Sequence, residues 1–350
     1  MGGERVKILS PLLMVNKIFK LLLLISPIAY TTGMKPEKFE LIFFHFGVMA
    51  LYIASLFDIP KRTRSIPIGV TAILSLCVVS TIIHSFQMAS LGVLLNLFIF
   101  YIGLGIVINH LDGHKSYYKY ISWAVIINCA VWLIQNYIIN FLPFVTYESG
   151  SFFGSAPRLF SYLSILIPIL YSVTPLFLFI PLLAIIGKEY SSILISAMVL
   201  FGTFKSIKIK GLIISGLGLF SIIFLKNIIK SFDLRFKEVF PPAIMEAAKT
   251  PFIGHGLGAY YNQMGSDSFN ILLLIWYDLG LIGVIVVGYA IWELRKLFKL
   301  NVATMSIVAI LAVSMFDGVL EIPRIWFTLI FMVCVFLLQK ENGENVCEKY

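Results

Sequence analysis

The sequence predicts an all-α, polytopic membrane bundle of about twelve spanning helices, and three observations carry that expectation. Of 350 residues, 59% are hydrophobic and only 13% are charged. Mean hydropathy is +0.94. The apolar residues fall in long runs separated by short polar breaks. Soluble domains carry roughly a quarter of their residues as Asp, Glu, Lys and Arg, and half that density leaves too little charge to cover a water-facing surface. Apolar runs of about 18 residues or more read as spanning helices, because lipid offers no partner to an unpaired backbone group. The 30 Phe and 16 Tyr suit faces turned toward lipid and its interfaces.

The first span is expected near 8–30, where Met1-Gly-Gly-Glu-Arg-Val-Lys7 leads into an apolar run without a small-residue cleavage site. It reads as a retained helix. Uninterrupted apolar runs place the next four spans near 40–59, 66–84, 88–109 and 120–140. The pair 158–173 and 174–187 is interrupted by Pro168, Pro175 and Pro181, and reads either as two spans or as one broken helix with a re-entrant segment. Runs near 190–204, 211–230, 267–292, 302–317 and 323–339 complete the series. The whole of 1–350 forms a single membrane domain, and 231–266 is its one extended polar stretch. Within that stretch Pro241-Pro242 opens a short helix through Ala247 and Ala248. No internal repeat is present, which weighs against an inverted-repeat transporter.

The net charge of +9 does not imply a nucleic-acid partner, because the basic residues cluster in short connections between spans. With the N-terminus inside, one set of connections carries Lys61, Arg62 and Arg64, then Lys115 and Lys119, then Lys205, Lys208 and Lys210, then Arg295, Lys296 and Lys299. Lys340 and Lys349 fall in the tail on the same side. The opposite connections hold mixed charge: Lys35, Glu37 and Lys38, then Glu148, then Asp317 and Glu321. This bias puts both termini in the cytoplasm and the long loops near 140–157 and 231–266 outside. Cys77, Cys129, Cys334 and Cys347 show no metal-ligand or disulfide spacing.

The chemistry-bearing segment runs from Asp233-Leu-Arg235 through Lys249-Thr-Pro-Phe-Ile-Gly-His-Gly-Leu-Gly-Ala-Tyr260 to Asp267-Ser-Phe-Asn270, and continues to Gly283. Gly254, Gly256 and Gly258 are not a nucleotide loop, since no Gly-Lys-Ser/Thr follows and the topology puts them outside. Alone, they read as a turn returning the chain to the membrane. The wider pattern is more specific. It comprises Arg235, a Pro251-x-x-Gly-x-Gly-x-Gly258 turn, Asn270 opening a helix, Asp278 eight positions on, and Gly280-Leu-Ile-Gly283.

In this order and approximate spacing the segment resembles the O-antigen ligase and polymerase family, over roughly 150–290. Gly150-Ser-Phe-Phe-Gly-Ser-Ala-Pro157 resembles a weaker upstream signature of that family, and Lys205-Ser206 stands where a Ser-Arg pair is common. Asp278 occupies a position usually held by Glu, and Phe269 the position of the family's His. The resemblance implies a GT-C-like bundle and a metal-independent glycosyltransferase, without cofactor, of the bacterial or archaeal cytoplasmic membrane. Its donor is a polyprenyl-diphosphate-linked oligosaccharide, and its acceptor a glycan or lipid. A flippase and a chain-length regulator are implied as partners alongside membrane lipids. Phe269 favours a polymerase over a ligase and leaves an inactive member open.

The physical demands of such a transfer point to particular residues. A diphosphate leaves without protonation, so fixed positive charge is the main requirement, and the planar fork of Arg binds phosphate oxygens in pairs. Arg235 and Arg158 are the candidates, supported by Lys226, Lys230, Lys237 and Lys249. His255 is the outward-loop histidine able to act as general base, with His84 at a helix end the other outward histidine. Asp278, about two turns inside a span, is a functional candidate by its depth. Tyr260, Tyr261 and Trp276 could stack on sugars, and Asn270 with Gly254, Gly256 and Gly258 would shape the site.

Each has a plainer role open to it. Arg235 could snorkel at the interface, His255 could bond turn carbonyls, Asp278 could pair with Arg235, Arg158 or a backbone amide, and Asn270 could cap its helix. From other classes, a flippase or transporter of lipid-linked sugars and a structural partner of an assembly complex share the composition.

Overall fold

The computed structural model describes residues 14–28, 36–61, 63–84, 87–111, 115–138, 153, 156–171, 179–187, 193, 196–197, 200–201, 208, 210, 213, 216, 226, 229, 233, 235–264, 270–295, 302–314 and 323–342. Every regular element among them is helical. The expected spans 190–204 and 211–230 lie mostly outside the described residues, as do Phe269 and the loop 139–152.

Among the described residues, four helices are long and apolar enough to cross a membrane, with windows Glu40–Phe57, Ser90–His110, Ser116–Tyr137 and Ile271–Leu294. Ile68–Ile83, Arg158–Tyr171 and Pro323–Leu338 are shorter apolar helices. The chain is therefore a helical, membrane-embedded protein. In chain order the helices are α1 (Met14–Ile25), α2 (Pro36–Phe57), α3 (Ile68–Ile83), α4 (Met88–His110), α5 (Lys115–Tyr137) and α6 (Ala156–Tyr171). They continue with α7 (Phe179–Ile186), α8 (Phe240–Ala247), α9 (Ala259–Met264), α10 (Ile271–Leu294), α11 (Val302–Ser314) and α12 (Trp326–Asn342). The expected break by Pro168 does not stop α6, which continues three residues past it.

The main core joins α1, α2, α4, α5, α6, α11 and α12. Phe19, Phe44, Tyr117, Phe327 and Phe331 stack edge-on or tilted at its centre. Side-chain contacts fix which ends meet. Val15 N–H donates to Asp58 at 3.2 Å, joining the start of α1 to the end of α2. Lys61 N–H donates to Asn109 O at 3.0 Å, and Arg64 to Leu337 O at 3.2 Å, so the end of α4 and that of α12 gather there too. Gly69 N–H donates to Glu293 at 2.6 Å, bringing in the start of α3 and the end of α10. Tyr117 Oη donates to Asn16, which adds the start of α5, so Lys61, Arg64, Lys119 and Arg295 collect at one end of the bundle.

His45 and Asn96 join the interiors of α2 and α4 at 2.9 Å, and the remaining ties lie at the other end of the bundle. Ser26, just after α1, donates to Arg324 O. The Arg324 guanidinium gives both Nε (3.0 Å) and Nη2 (2.6 Å) to Glu40. The arginine side chain is 1% exposed and the glutamate 11%. Phe153 lies under the guanidinium at 5.5 Å. This pair ties the segment before α12 to the start of α2, a link between residues far apart in the sequence.

Removing one member of such a pair leaves a buried charge without its partner, at a cost of about 3–5 kcal/mol. Arg324→Met is expected to destabilise the detergent-solubilised protein by that amount. Glu40→Gln combined with Arg324→Met should recover most of the loss, as read by thermal unfolding in a double-mutant cycle.

Candidate functional site

The site is built on a helix that breaks. In α10, Gly280 adopts φ 67° and ψ −167°, which separates two helical halves. A continuous helix would pair Leu281 N–H with Tyr277 O and Ile282 N–H with Asp278 O. Here both donors turn instead to the preceding segment: Leu281 N–H bonds Pro251 O at 2.8 Å, and Ile282 N–H bonds Phe252 O at 3.3 Å. The two released carbonyls are taken by the same segment. His255 N–H donates to Tyr277 O at 2.9 Å and Gly256 N–H to Asp278 O at 3.0 Å. The glycine turn is inserted into the helix like a strand, and no backbone group of this exchange is left unpaired.

Such close approach of two backbones demands glycine at the contact. A Cβ on Gly254 (φ 69°) would stand 2.5 Å from the Asp278 carbonyl carbon, and one on Gly280 would collide with the Phe252 carbonyl. Gly256 (φ 103°) meets the His84 ring in the same way. Two further helices clamp the turn. His84 at the end of α3 places Nε2 3.3 Å from Gly254 O while Nδ1 faces Ser80 O at 2.8 Å. Ser90 near the start of α4 donates to Leu257 O at 2.7 Å. Leu257 and Leu279 close the contact by packing with Cys77 of α3.

Asp278 is buried, and its carboxylate accepts from Gly258 N–H at 2.7 Å and Tyr260 N–H at 2.9 Å. The acid therefore caps the start of α9 and secures the far side of the turn. Of the partners open to it in the sequence, the structure selects backbone amides. Asn270 precedes α10 and accepts from Leu273 N–H at 3.0 Å, capping that helix. Tyr260 is buried edge-on against Tyr277 at 5.1 Å, within a small core of Ala243, Ala247, Ala259 and Leu273. It is therefore not presented to a passing sugar. Trp276 is half-buried and donates to Pro251 O at 3.3 Å.

His255 is the half-buried imidazole of the turn, tilted over the Tyr277 ring at 4.8 Å. Its Nε2 lies 3.0 Å from Glu246 O. A carbonyl only accepts, so this contact assigns a proton to Nε2, and in the neutral ring the lone pair then sits on Nδ1. A main-chain carbonyl thus sets the tautomer and orientation, as the third member does in a catalytic triad. Beside it, Lys249 and Glu246 form an ion pair, and Tyr277 Oη donates to Gln263.

The structure gathers His255, Asp278, Gly254, Gly256, Gly258 and Tyr260 around one turn, with Lys249 at its edge and Asn270 apart at the head of α10. Arg158 lies elsewhere, at the start of α6, close enough to Glu40 for its charge to be felt there. The backbone of Arg235 opens a π-helical turn, Arg235–Val239, leading into α8, and its side chain is outside the described residues. Ser90, Glu246 and Gln263 escaped the sequence reading. Ser90 sits on a distant helix with no local pattern to mark it, whereas the Glu246-x-x-Lys249 spacing was a legible ion-pair signal. Searches of protein-family models, curated proteins and solved structures find no match for the chain.

Asp278→Ala orphans two buried amides, each worth about 1–3 kcal/mol. The variant should lose thermal stability by the sum. Asp278→Asn, with one accepting oxygen, should lose roughly half as much. Limited proteolysis within 250–260 should report the released turn in both.

Proposed function

We propose that this chain is a membrane glycosyltransferase acting as an O-antigen or other surface-polysaccharide polymerase. It moves oligosaccharide from an undecaprenyl-diphosphate-linked donor onto an acceptor glycan at the outer face of the cytoplasmic membrane. The observation that carries the proposal is the orientation of His255, an imidazole held on the turn through Nε2, with Nδ1 unengaged among the described residues. The arrangement of charge supports the orientation. Lys61, Arg64, Lys119 and Arg295 collect at the end away from the turn, and the positive-inside rule reads such clustering as support for a turn outside and termini in the cytoplasm.

In this reading an acceptor hydroxyl gives its proton to His255 Nδ1 as its oxygen bonds the anomeric carbon of the donor sugar. The bond from that carbon to the diphosphate oxygen breaks, and undecaprenyl diphosphate leaves carrying the electron pair. General-base assistance of this kind contributes about 10²–10⁴-fold in rate. Arg235, at the head of the turn leading into α8, supplies positive charge for the departing diphosphate, as a planar fork suited to two oxygens. Asp278 and the glycines act as positioning residues, since their polar and backbone groups are spent on holding the turn. A ligase uses the same donor and steps, and differs only in handing the glycan to a lipid or protein acceptor.

A transporter of lipid-linked sugars is the second reading, because broken spanning helices commonly line transport sites. The break at Gly280 weighs against it. The backbone groups that a transporter would offer to its cargo are here consumed by Pro251, Phe252, His255 and Gly256.

The test is complementation of a strain that lacks its own surface-polysaccharide polymerase and carries the repeat-unit genes native to this protein. Wild type is expected to restore a glycan ladder on gels. Arg235→Ala and His255→Ala, at equal membrane abundance, should leave a single-repeat band, with polymer reduced by about 10²–10⁴-fold for His255→Ala. A full ladder from His255→Ala removes that residue as base. A single band from wild type sinks the polymerase reading.

A further inference from the structure

The hydrogen bonds between the turn and α10 fix more than the shape of a site; they fix its depth. Ile282 falls at the middle of α10, which runs Ile271–Leu294 and is long and apolar enough to span. Eleven residues of helix at about 1.5 Å each separate it from Ile271, roughly half the ~30 Å thickness of a hydrocarbon core. Phe252 O accepts from Ile282 N–H, and Pro251 O from Leu281 N–H. If α10 crosses the membrane, the backbone of Pro251 and Phe252 stands at the same depth as the middle of that helix.

The side chains at this point suit lipid. Phe252 is 65% exposed and Ile253 47% exposed. On α10, Leu281, Ile282 and Ile285 are exposed as well, so the apolar surface of the turn is continuous with that of the helix. Nearer the start of α10, α8 exposes Ile244 and Met245. The two charges next to the turn, Glu246 and Lys249, neutralise each other. Non-helical backbone is tolerated at membrane depth only when its polar groups are satisfied by protein or by enclosed water. Here α10 pairs the carbonyls of Pro251 and Phe252 and the amides of His255 and Gly256, the Asp278 carboxylate takes the amides of Gly258 and Tyr260, and Ser90 donates to Leu257 O.

We propose that α8 and the turn through Gly258 form a re-entrant hairpin whose exposed face, Ile244, Met245, Phe252 and Ile253, lies against the acyl chains of the bilayer, with Phe252 and Ile253 deepest. The segment is thus not a water-exposed loop. The partner of this surface is lipid, and the inference holds whether or not the chain transfers sugars.

The test places a nitroxide spin label at Phe252→Cys, Ile253→Cys and Met245→Cys in the full chain, with Cys129→Ser and Cys347→Ser so that only the buried Cys77 and Cys334 remain as native thiols. Each variant is reconstituted into phosphatidylcholine vesicles. Collision with oxygen, which concentrates in hydrocarbon, is compared with collision with a water-soluble nickel chelate. The expected result is an oxygen-to-nickel ratio severalfold higher at Phe252→Cys and Ile253→Cys than at Met245→Cys. Either deep variant suffices should the other fail to elute as a single species. Higher nickel than oxygen collision at the deep positions means an aqueous vestibule and overturns the proposal. Equal ratios at all three positions mean that the segment lies flat at the interface, which also overturns it.

Discussion

A peptide group inside a membrane has to find its hydrogen-bond partner within the protein, because the surrounding hydrocarbon has none to give. Helices meet this requirement internally, and a helix that breaks must find partners elsewhere. In α10 the break at Gly280 frees two donors and two acceptors, and the segment Pro251–Gly256 returns all four. The turn and the helix are therefore one structural unit. Most of what surrounds them serves that unit: Asp278 secures its far side, His84 and Ser90 clamp it to α3 and α4, and the glycines admit two backbones at contact distance.

The chemistry proposed for His255 rests on the same unit. An imidazole on a loose loop samples many orientations, and either ring nitrogen can hold the proton. Here the N–H of His255 is bonded to Tyr277 O and its Nε2 to Glu246 O, so both the backbone and the ring are referred to neighbouring helices. Precision in the position of one side chain is obtained from backbone pairing, not from a rigid element of its own. The Glu40–Arg324 pair does comparable work in the main bundle, where two charges of opposite sign lock an incoming segment to the start of α2.

The membrane helices were legible because hydropathy is additive along a helix. The run 88–109 anticipates Met88–His110 closely, and 40–59 anticipates Pro36–Phe57. The expected start near 120 was late, since α5 begins at Lys115, and its Tyr117 and Tyr118, polar enough to look like loop, are buried by the aromatic core. Asn270 as a helix cap and the short helix after Pro241-Pro242 could be read because caps are local. The break at Gly280 could not. Glycine is common inside membrane helices, and nothing in Gly280-Leu-Ile-Gly283 distinguishes a contact glycine from a hinge. Likewise Asp278 stood out by its depth, but its partners lie 18 and 20 residues away. Burial of that acid was predictable; the amides that receive it were a matter of tertiary structure.

The pairing of turn and helix also imposes an order on biogenesis. Residues 251–256 leave the ribosome about 30 residues ahead of the half of α10 that completes their hydrogen bonds, an interval of seconds at about 5–20 residues per second. Until Leu281 and Ile282 arrive, the carbonyls of Pro251 and Phe252 have only water to bond, which holds the hairpin at the aqueous surface. Hydrophobicity alone cannot carry it inward at that stage. It enters with α10, as a preassembled pair, so the membrane integration of this segment is gated by a sequence that has yet to be translated when the hairpin emerges.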